Sequence, residues 1–232
     1  MKEQFITKLL LDTKLVLDKY GVKFWLDHGT LLGAVREDGF IPWERDVDLG
    51  AWDYTVSEDM KQRIAEDLCN LGYKVLLMPT HMNIRGNKVW LDVALYCKEK
   101  TMAVINAPIP INIIGRYLGY ARAIMLSPNY HDDTGLRHYP LMLLNFVCGL
   151  IPKWLRIAII RVIETLYKRA GYKTWSIPSE YFSEFTTMSF CEKQFNVPAN
   201  PERYLAFRYG KDWIIPKRNW RTANSGGVEW RK

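Results

Sequence analysis

The strongest chemical signal in the sequence is a pair of aspartates separated by a single residue. Asp46 and Asp48 flank Val47, and in a strand the side-chain period of two places both carboxylates on one face. Burying two negative charges side by side is costly unless a cation compensates them. Carboxylate oxygens favour Mg²⁺ or Mn²⁺ over zinc. The pair therefore predicts a divalent metal site, with a solvated strand edge as the alternative.

A third carboxylate strengthens the metal-site interpretation. Asp92 lies at the centre of a second strand-like run, Val-Trp-Leu-Asp-Val-Ala-Leu. We predict that Asp46, Asp48 and Asp92 bind the metal together and form the catalytic centre.

A glycine and a threonine upstream of the pair form a predicted strand-to-helix turn. Gly29 and Thr30 follow the apolar run from Val22 to Leu26 and precede a helix-like segment from Leu31 to Arg36. The backbone N–H groups of such a turn are predicted to face an anion, and Gly29 allows a ligand to approach closely. Three acids on two strands with a Gly-Thr turn match a nucleotidyltransferase-type active site.

The stretch from Trp25 to Gly50 resembles the signature of the LicD family, which is similar to the fukutin and fukutin-related glycan-modifying enzymes. It contains an apolar strand, His-Gly-Thr-Leu-Leu-Gly-Ala-Val-Arg, then Gly-Phe-Ile-Pro-Trp and the Asp-x-Asp pair. Asp92 falls where the family places its third acid, whereas residues 100 to 185 match only loosely. Three later segments resemble the family's C-terminal run: Phe190 to Pro198, Pro201 to Leu205 and Arg208 to Gly210.

The resemblance implies transfer of a phospho-alcohol group from a CDP-linked donor to a sugar hydroxyl of a cell-surface glycan or its lipid-linked precursor, with release of CMP. Phosphocholine is the expected group, with ribitol or glycerol phosphate as alternatives. The metal would bridge the donor's diphosphate, and Asp92 would also accept the acceptor's proton. The candidates for nucleotide or phosphate binding are Gly29, Thr30, Arg36, His28 and Trp43. Among the candidates, His28 and Trp43 are of second rank, as is Asp27.

One position departs from the family pattern. The family usually has acidic residues where this sequence has Glu44 and Arg45. Arg45 adds a positive charge beside the metal pair, on a side chain expected to point away from the two acids. Its replacement by Asp is expected to change donor preference or metal affinity and to leave the fold intact.

Two other functions fit parts of the sequence. A true nucleotidyltransferase would use the same carboxylates to move a nucleoside monophosphate and release pyrophosphate. A non-catalytic basic module would bind RNA or a membrane, since the net charge of +7 suggests an anionic partner. Three crowded carboxylates argue against the non-catalytic module, and nucleic acid is not the expected partner.

Periodicity supplies the elements that would position these residues. Residues 3 to 20 have helical spacing and end at Gly21, and Ser57 is the predicted N-cap of a helix that ends near Leu71. Residues 73 to 78, 80 to 85 and 88 to 96 are predicted strands with a tight turn before the last. The predicted fold class is α+β, with a nucleotidyltransferase-like mixed β-sheet, flanking helices and an additional helical lobe.

The predicted organisation has three parts within one continuous LicD-like domain. Residues 1 to 106 form the catalytic core, residues 107 to 185 a loop and apolar helical lobe, and residues 186 to 232 a segment that packs back on the core. Within the lobe, Leu141 to Leu150 and Leu155 to Leu166 are each too short to cross a membrane. The second is basic and amphipathic, which permits either packing on the sheet or contact with an anionic membrane surface.

The start of the chain lacks the pattern of a signal peptide, so a cytoplasmic protein, peripheral on the inner face of the membrane, is expected. The cysteines at 69, 97, 148 and 191 lie far apart and predict buried free thiols. The loop that contains His131, Asp132, Asp133 and His138 is predicted to be solvated and not to bind metal. The aromatic and basic residues Trp213, Lys217, Arg218 and Trp220 would either bind a base and phosphates or form a packed tail.

Overall fold

The computed structural model describes residues 2–110, 114, 117–118, 121, 125, 150–170, 172–218, 220 and 225–231. The chain divides into two compact units. The first unit comprises residues 1–107 and 175–228, and the second comprises residues 108–174 and 229–232. Residues 175–185, which the sequence assigned to the lobe, belong to the first unit.

The described residues form five α-helices and ten strands. The helices are α1 (Lys2–Lys19), α2 (His28–Arg36), α3 (Glu58–Asn70), α4 (Lys153–Ala170) and α5 (Pro201–Tyr209). The strands are β1 (Phe24–Leu26), β2 (Asp46–Trp52), β3 (Lys74–Met78), β4 (His81–Gly86), β5 (Val89–Glu99), β6 (Met102–Pro110), β7 (Tyr172–Pro178), β8 (Phe185–Phe190), β9 (Lys193–Pro198) and β10 (Val228–Arg231).

The sheet is mixed, with strand order β10-β7-β6-β5-β2-β1-β9-β8, and the β3–β4 hairpin joins it through β5. Strand β2 runs parallel to β5 on one side and antiparallel to β1 on the other. The hairpin of β4 and β5 is antiparallel, as the sequence predicts. The predicted α+β class is thereby confirmed.

The helices begin and end where their capping residues indicate. Gly21, with a φ of +67°, terminates α1, and Gly210, with a φ of +90°, follows α5. The Ser57 hydroxyl accepts a hydrogen bond of 3.2 Å from the Met60 amide at the start of α3. The predicted N-cap of α3 and the predicted end of α1 at Gly21 are confirmed.

The alternation along β2 decides which face carries chemistry. Val47 and Leu49 are fully buried and belong to the hydrophobic core, which includes Leu10 and Leu17 of α1. Burial of each such side chain contributes about 1.5–3 kcal/mol. A register slip of one residue would exchange this apolar face with the acidic one, so core packing fixes the orientation of Asp46 and Asp48.

Within the described part of the chain, none of the helices combines the length and the apolar character that crossing a bilayer requires.

Candidate active site

Three carboxylates meet at adjacent strands. In the parallel pairing of β2 with β5, Asp48 lies opposite Asp92 and Asp46 lies opposite Trp90. All three aspartates line one cavity of about 480 Å³, together with Glu44. The structure therefore brings together the predicted catalytic acids and adds a fourth, Glu44, which precedes the strand.

The first turn of α2 is docked on Asp48. The Gly29 N–H donates to Asp48 Oδ2 at 3.1 Å, and the Thr30 hydroxyl accepts from the Asp48 amide at 2.8 Å. Helix α2 begins at His28, so Gly29 and Thr30 lie in its first turn. The Gly29 N–H was predicted to be free for a phosphate, but it is occupied by this carboxylate. The anion that the turn contacts is part of the protein.

The absence of a side chain at Gly29 makes room for another acid. A Cβ at this position would lie 2.5 Å from Glu44 Oε2 and 3.4 Å from Asp48 Oδ2. The close approach predicted for a ligand is thus made by the two acidic side chains. Gly29 allows Glu44 and Asp48 to occupy the same small space.

Burial and mutual repulsion raise the pKa values of two of these acids. Burial, reinforced by Asp46 and Asp92, raises the pKa of Asp48 well above its ordinary value. Burial also raises the pKa of Asp92, against the opposing influence of His81 and of a 2.8 Å hydrogen bond from Asn83 Nδ2. Both carboxyls therefore favour a compensating positive charge, either a proton or a bound cation.

The chemistry of this donor set fits a hard divalent cation, because the cavity presents four carboxylates and no thiol. In the described residues, no three His, Cys, Asp or Glu side chains already form a group that could hold a metal ion. The metal site assigned to Asp46, Asp48 and Asp92 therefore stays a prediction.

Asp27 is a buried structural residue. Its side chain caps α2 by accepting from the His28 amide at 2.8 Å. The hydroxyls of Tyr96 and Tyr204 each donate to its carboxylate at 2.6 Å. Burial alone would raise the pKa of Asp27, but His28 and the two tyrosine hydrogen bonds hold it below its ordinary value. This second-rank candidate stabilises the helix that carries Gly29, and it is not among the cavity-lining residues.

His28 lines the cavity and also lies next to the buried group of Asp27, Tyr96 and Tyr204. Its backbone has a φ of +42°, and Arg208 Nη2 lies 2.7 Å from its Nδ1. Because arginine only donates, we assign Nδ1 as the acceptor and place the ring proton on Nε2. Burial and Arg208 lower the pKa of His28 to about 4, against the pull of Asp27. The imidazole is therefore neutral at pH 7.

Three cations lie beside three tryptophans of the cavity wall. Arg208 lies 4.2 Å from the ring centre of Trp175, Lys217 lies 5.4 Å from Trp220, and Arg218 lies 5.7 Å from Trp43. All six residues line the cavity. The site thus combines four acids with three ring-stacked cations, which suits a ligand that carries both a metal and phosphates.

Arg208 is the functional candidate that the sequence missed. It is 2% exposed, and its Nη1 donates to the Gly226 carbonyl at 2.6 Å. The segment 208–210 resembles the family's C-terminal run, and this resemblance was the signal that could have identified Arg208. A buried arginine that borders a cavity is a stronger candidate than the exposed cations nearby.

Two arginines named in the sequence analysis, Arg36 and Arg45, lie outside the cavity wall. Arg36 donates from Nε to Glu37 Oε1 at 2.8 Å and from Nη1 to the Trp213 carbonyl at 3.2 Å. It does not line the acidic cavity, so the structure does not place this phosphate-binding candidate at the site. Arg45 is exposed and is also absent from the cavity wall.

The remaining predictions have mixed outcomes. The cysteines at 69, 97 and 191 are free, but Cys69 is exposed and the other two are half-buried, so the prediction of buried thiols is wrong for all three. Cys148, the loop with His131, Asp132, Asp133 and His138, and residues 141–149 of the first apolar run lie outside the described residues.

Comparison with known proteins finds a family model that matches the part of the chain that carries the acid pair. Residues 21–83 match the model described as LicD/FKTN/FKRP, nucleotidyltransferase domain. This segment includes the cap Asp27, the turn at Gly29 and the pair Asp46 and Asp48. Over residues 21–83 the match supports the predicted LicD resemblance, and the comparison reaches no further along the chain.

Similar proteins share short parts of the chain. An uncharacterized protein of Rickettsia typhi is 35% identical over 100 residues, which cover 40% of this chain and 29% of that protein. One of Rickettsia prowazekii is 39% identical over 93 residues, covering 40% and 34%. The human protein named ribitol 5-phosphate transferase FKRP is 54% identical over 37 residues, covering 16% and 8%. The matches span about a third or less of each relative's length.

Solved structures give weak likenesses. The lincosamide antibiotic adenylyltransferase LnuA has a TM-score of 0.39 at 12% identity, covering 85% of this chain and 83% of that chain. The antibiotic-resistance factor ANT(2'')-Ia has a TM-score of 0.35 at 14% identity, covering 72% and 95%. Likenesses at this level carry no information about substrate.

Proposed function

We propose that this chain is a metal-dependent phosphotransferase. It moves a phospho-alcohol group from a CDP-linked donor to a sugar hydroxyl of a cell-surface glycan or its lipid-linked precursor, and it releases CMP. The observation that carries the proposal is the pairing of Asp48 with Asp92 across parallel strands, beside Asp46, in a chain with a LicD-type segment.

The proposed cofactor is Mg²⁺ or Mn²⁺, held by Asp46, Asp48 and Asp92. Such an ion would neutralise charge on the donor's diphosphate as the leaving group departs. The raised pKa values of Asp48 and Asp92 support this role, since burial outweighs the partial compensation that these carboxylates receive within the protein.

The donor's phosphates would be bound by the ring-stacked cations. Arg208, Lys217 and Arg218 take this role because they line the acidic cavity. The Gly29 amide donates to Asp48, and Arg36 lies outside the cavity wall. Trp43 and Trp220 provide flat surfaces for the base or the alcohol. Neutral His28 orients Arg208 by accepting its hydrogen bond.

The transfer step forms one phosphorus–oxygen bond and breaks another. The acceptor's hydroxyl oxygen attacks the phosphorus that bears the alcohol, and the bond from that phosphorus to the oxygen bridging it to CMP breaks. CMP leaves with the bridging oxygen, and the hydroxyl proton passes to Asp92. A buried carboxylate with a raised pKa accepts a proton more readily than a solvated one.

The transferred group is proposed to be phosphocholine, with ribitol phosphate or glycerol phosphate as alternatives. Tryptophan rings beside carboxylates suit the quaternary ammonium of choline. The FKRP relative, whose name specifies ribitol 5-phosphate, favours a polyol. Each ring, however, already has a protein cation beside it, so choline would have to displace Lys217 or Arg218, the two exposed ones.

Nucleotidyl transfer is the second candidate, because the matching family model describes a nucleotidyltransferase domain. A non-catalytic module is disfavoured, since it would have no physical need for four acids in one cavity.

The test is a donor screen with Mg²⁺ and a mixture of glycan acceptors. CDP-choline, CDP-ribitol, CDP-glycerol and nucleoside triphosphates are compared by product release and by metal-dependent thermal stabilisation. We expect one CDP-alcohol to yield CMP and no triphosphate to yield pyrophosphate. Pyrophosphate release would establish the second candidate. Neither product, together with no metal-dependent stabilisation by any donor, would support the non-catalytic module.

A further inference from the structure

The exposed hydrophobic residues are concentrated in the second unit. Eight of the fifteen large hydrophobic side chains that are exposed in the described residues lie between residues 108 and 174. Five of them are on α4, where Trp154 is 70% exposed and Val162 is 59% exposed. Exposed apolar side chains at this density on one helix indicate a surface that contacts something other than water.

Helical periodicity places four of these apolar side chains on one side of α4. At 3.6 residues per turn, Trp154, Leu155, Val162 and Leu166 share a face with Arg161 and Arg169, and all six are exposed. We call these six residues the outward face. Ile163, which is 8% exposed, lies on the opposite side and packs within the protein.

The charge of the helix restricts what can cover this face. The α4 sequence contains five basic residues and one acid, Glu164, which gives a net charge of +4. The two charged side chains of the outward face are both arginines. A helix with Trp and aliphatic residues between arginines matches the interface of an anionic bilayer, where rings lie at headgroup level and guanidinium groups contact phosphates.

We propose that the outward face of α4 binds the surface of an anionic lipid membrane. The helix lies in the plane of the interface and does not cross it, in agreement with its hydropathy. The proposal does not depend on the transferase chemistry, because it uses none of the residues of the acidic cavity.

The experiment is flotation of the full chain with neutral phosphatidylcholine vesicles and with vesicles that also contain phosphatidylglycerol. We expect binding to the anionic vesicles only, and weaker binding at 1 M salt, where the Debye length falls to about 3 Å. Equal flotation with both vesicle types would overturn the proposal.

Two sets of variants distinguish the contribution of the apolar side chains to membrane binding from the contribution of charge. Val162→Asp with Leu166→Asp should abolish flotation, whereas Leu15→Asp, on an exposed position of α1, should not. Arg161→Gln with Arg169→Gln should weaken binding about 30-fold, since each basic side chain near an anionic surface contributes about fivefold. Arg63→Gln with Arg203→Gln changes net charge equally at positions on other helices, and should have a much smaller effect.

Circular dichroism and melting temperature verify folding, and the arginine variants test the face without changing its apolar residues. Light scattering tests whether a second copy of the chain, and not a membrane, covers the outward face. If Val162→Asp with Leu166→Asp converts a dimer into a monomer and lipid binding is absent from the wild type, the face is an interface between two copies and the proposal is wrong.

Discussion

Asp48 of β2 and Asp92 of β5 are paired positions of two parallel strands, at one wall of the same cavity. Neither residue lies on a loop, so the backbone of the sheet fixes the spacing between the two positions. Two half-buried carboxylates held in this way cannot move apart to relieve repulsion. Function and stability should therefore respond in opposite directions when either charge is removed.

The first prediction concerns Asp48→Asn and Asp92→Asn. The folded-state pKa of both acids is raised, so at pH 7 without metal each ionised carboxylate opposes folding. The amide removes that opposition. We expect an unchanged or higher melting temperature in EDTA, no stabilisation by Mg²⁺, and turnover lower by at least about 100-fold. Calorimetry and CMP release measure these effects, with Asp38→Asn, an exposed position, as the control. Full activity in either variant would contradict the assignment.

The second prediction concerns Gly29→Ala. The new Cβ would meet Glu44 Oε2 at 2.5 Å, at the flexible end of that side chain. Glu44 should move out of the acidic cluster, while the helix gains about 0.5–1 kcal/mol from replacing glycine. We expect unchanged or higher stability with activity lower by about 10-fold or more. Gly39→Ala, whose Cβ would have no contact closer than 3.8 Å, should leave both unchanged.

The third prediction is a pH dependence that comes from His28. Its folded-state pKa of about 4 lies below the unfolded value of about 6.5, so between these pH values the unfolded chain binds more protons. His28 therefore makes the free energy of unfolding fall as pH is lowered through this window, by at most about 1.4 kcal/mol per unit. His28→Asn, which tolerates the positive φ, should remove this dependence. Urea titrations of both proteins at pH 7 and 5 test the difference, and equal pH slopes would refute it.

The fourth prediction concerns the tyrosine partners of Asp27. Tyr204→Phe removes a hydrogen bond of 2.6 Å to a fully buried carboxylate, which should cost about 1–3 kcal/mol of stability. It should also raise the pKa of Asp27 and move acid unfolding to higher pH. Tyr54→Phe, where the tyrosine is 72% exposed, serves as the control and should change stability by less than about 0.5 kcal/mol.

The fifth prediction compares neighbouring charges. Glu44 lines the cavity and Arg45 is exposed outside it. We expect Glu44→Gln to lower kcat by about 10-fold or more, whereas Arg45→Asp should change the KM for the donor modestly through its charge and leave kcat unchanged. The fold should be intact in both. A larger effect of Arg45→Asp on kcat would place that side chain in the site when the donor is bound.

The sequence predicted what depends on local periodicity. The alternation around Val47 determined the acidic face of β2, and Ser57 and Gly21 marked helix ends, because these features depend on neighbouring residues. The hydrogen-bond partners of individual polar groups were less predictable. The Gly29 amide and the Arg36 guanidinium were assigned to phosphate, yet both have protein partners that only the folded chain brings close.

Long-range contacts account for the rest. Tyr96 and Tyr204 reach Asp27 from 69 and 177 positions away along the chain, and no pattern among near neighbours in the sequence could indicate them. The burial of Arg208 was equally hidden, because an arginine in a short terminal helix is usually exposed.

The contact between His28 and Arg208 spans 180 positions, and this separation has a consequence for biosynthesis. On a ribosome that adds about 5–20 residues per second, His28 and the Asp27 cap wait on the order of 10 s for their partners to be synthesised. During that interval the nascent chain can form α1 and the β3–β4 hairpin, but it cannot close the wall that carries Arg208. A nascent chain that ends before this residue would have the acidic residues without Arg208 in the cavity wall, so the proposed donor site is completed only after residue 208 has emerged.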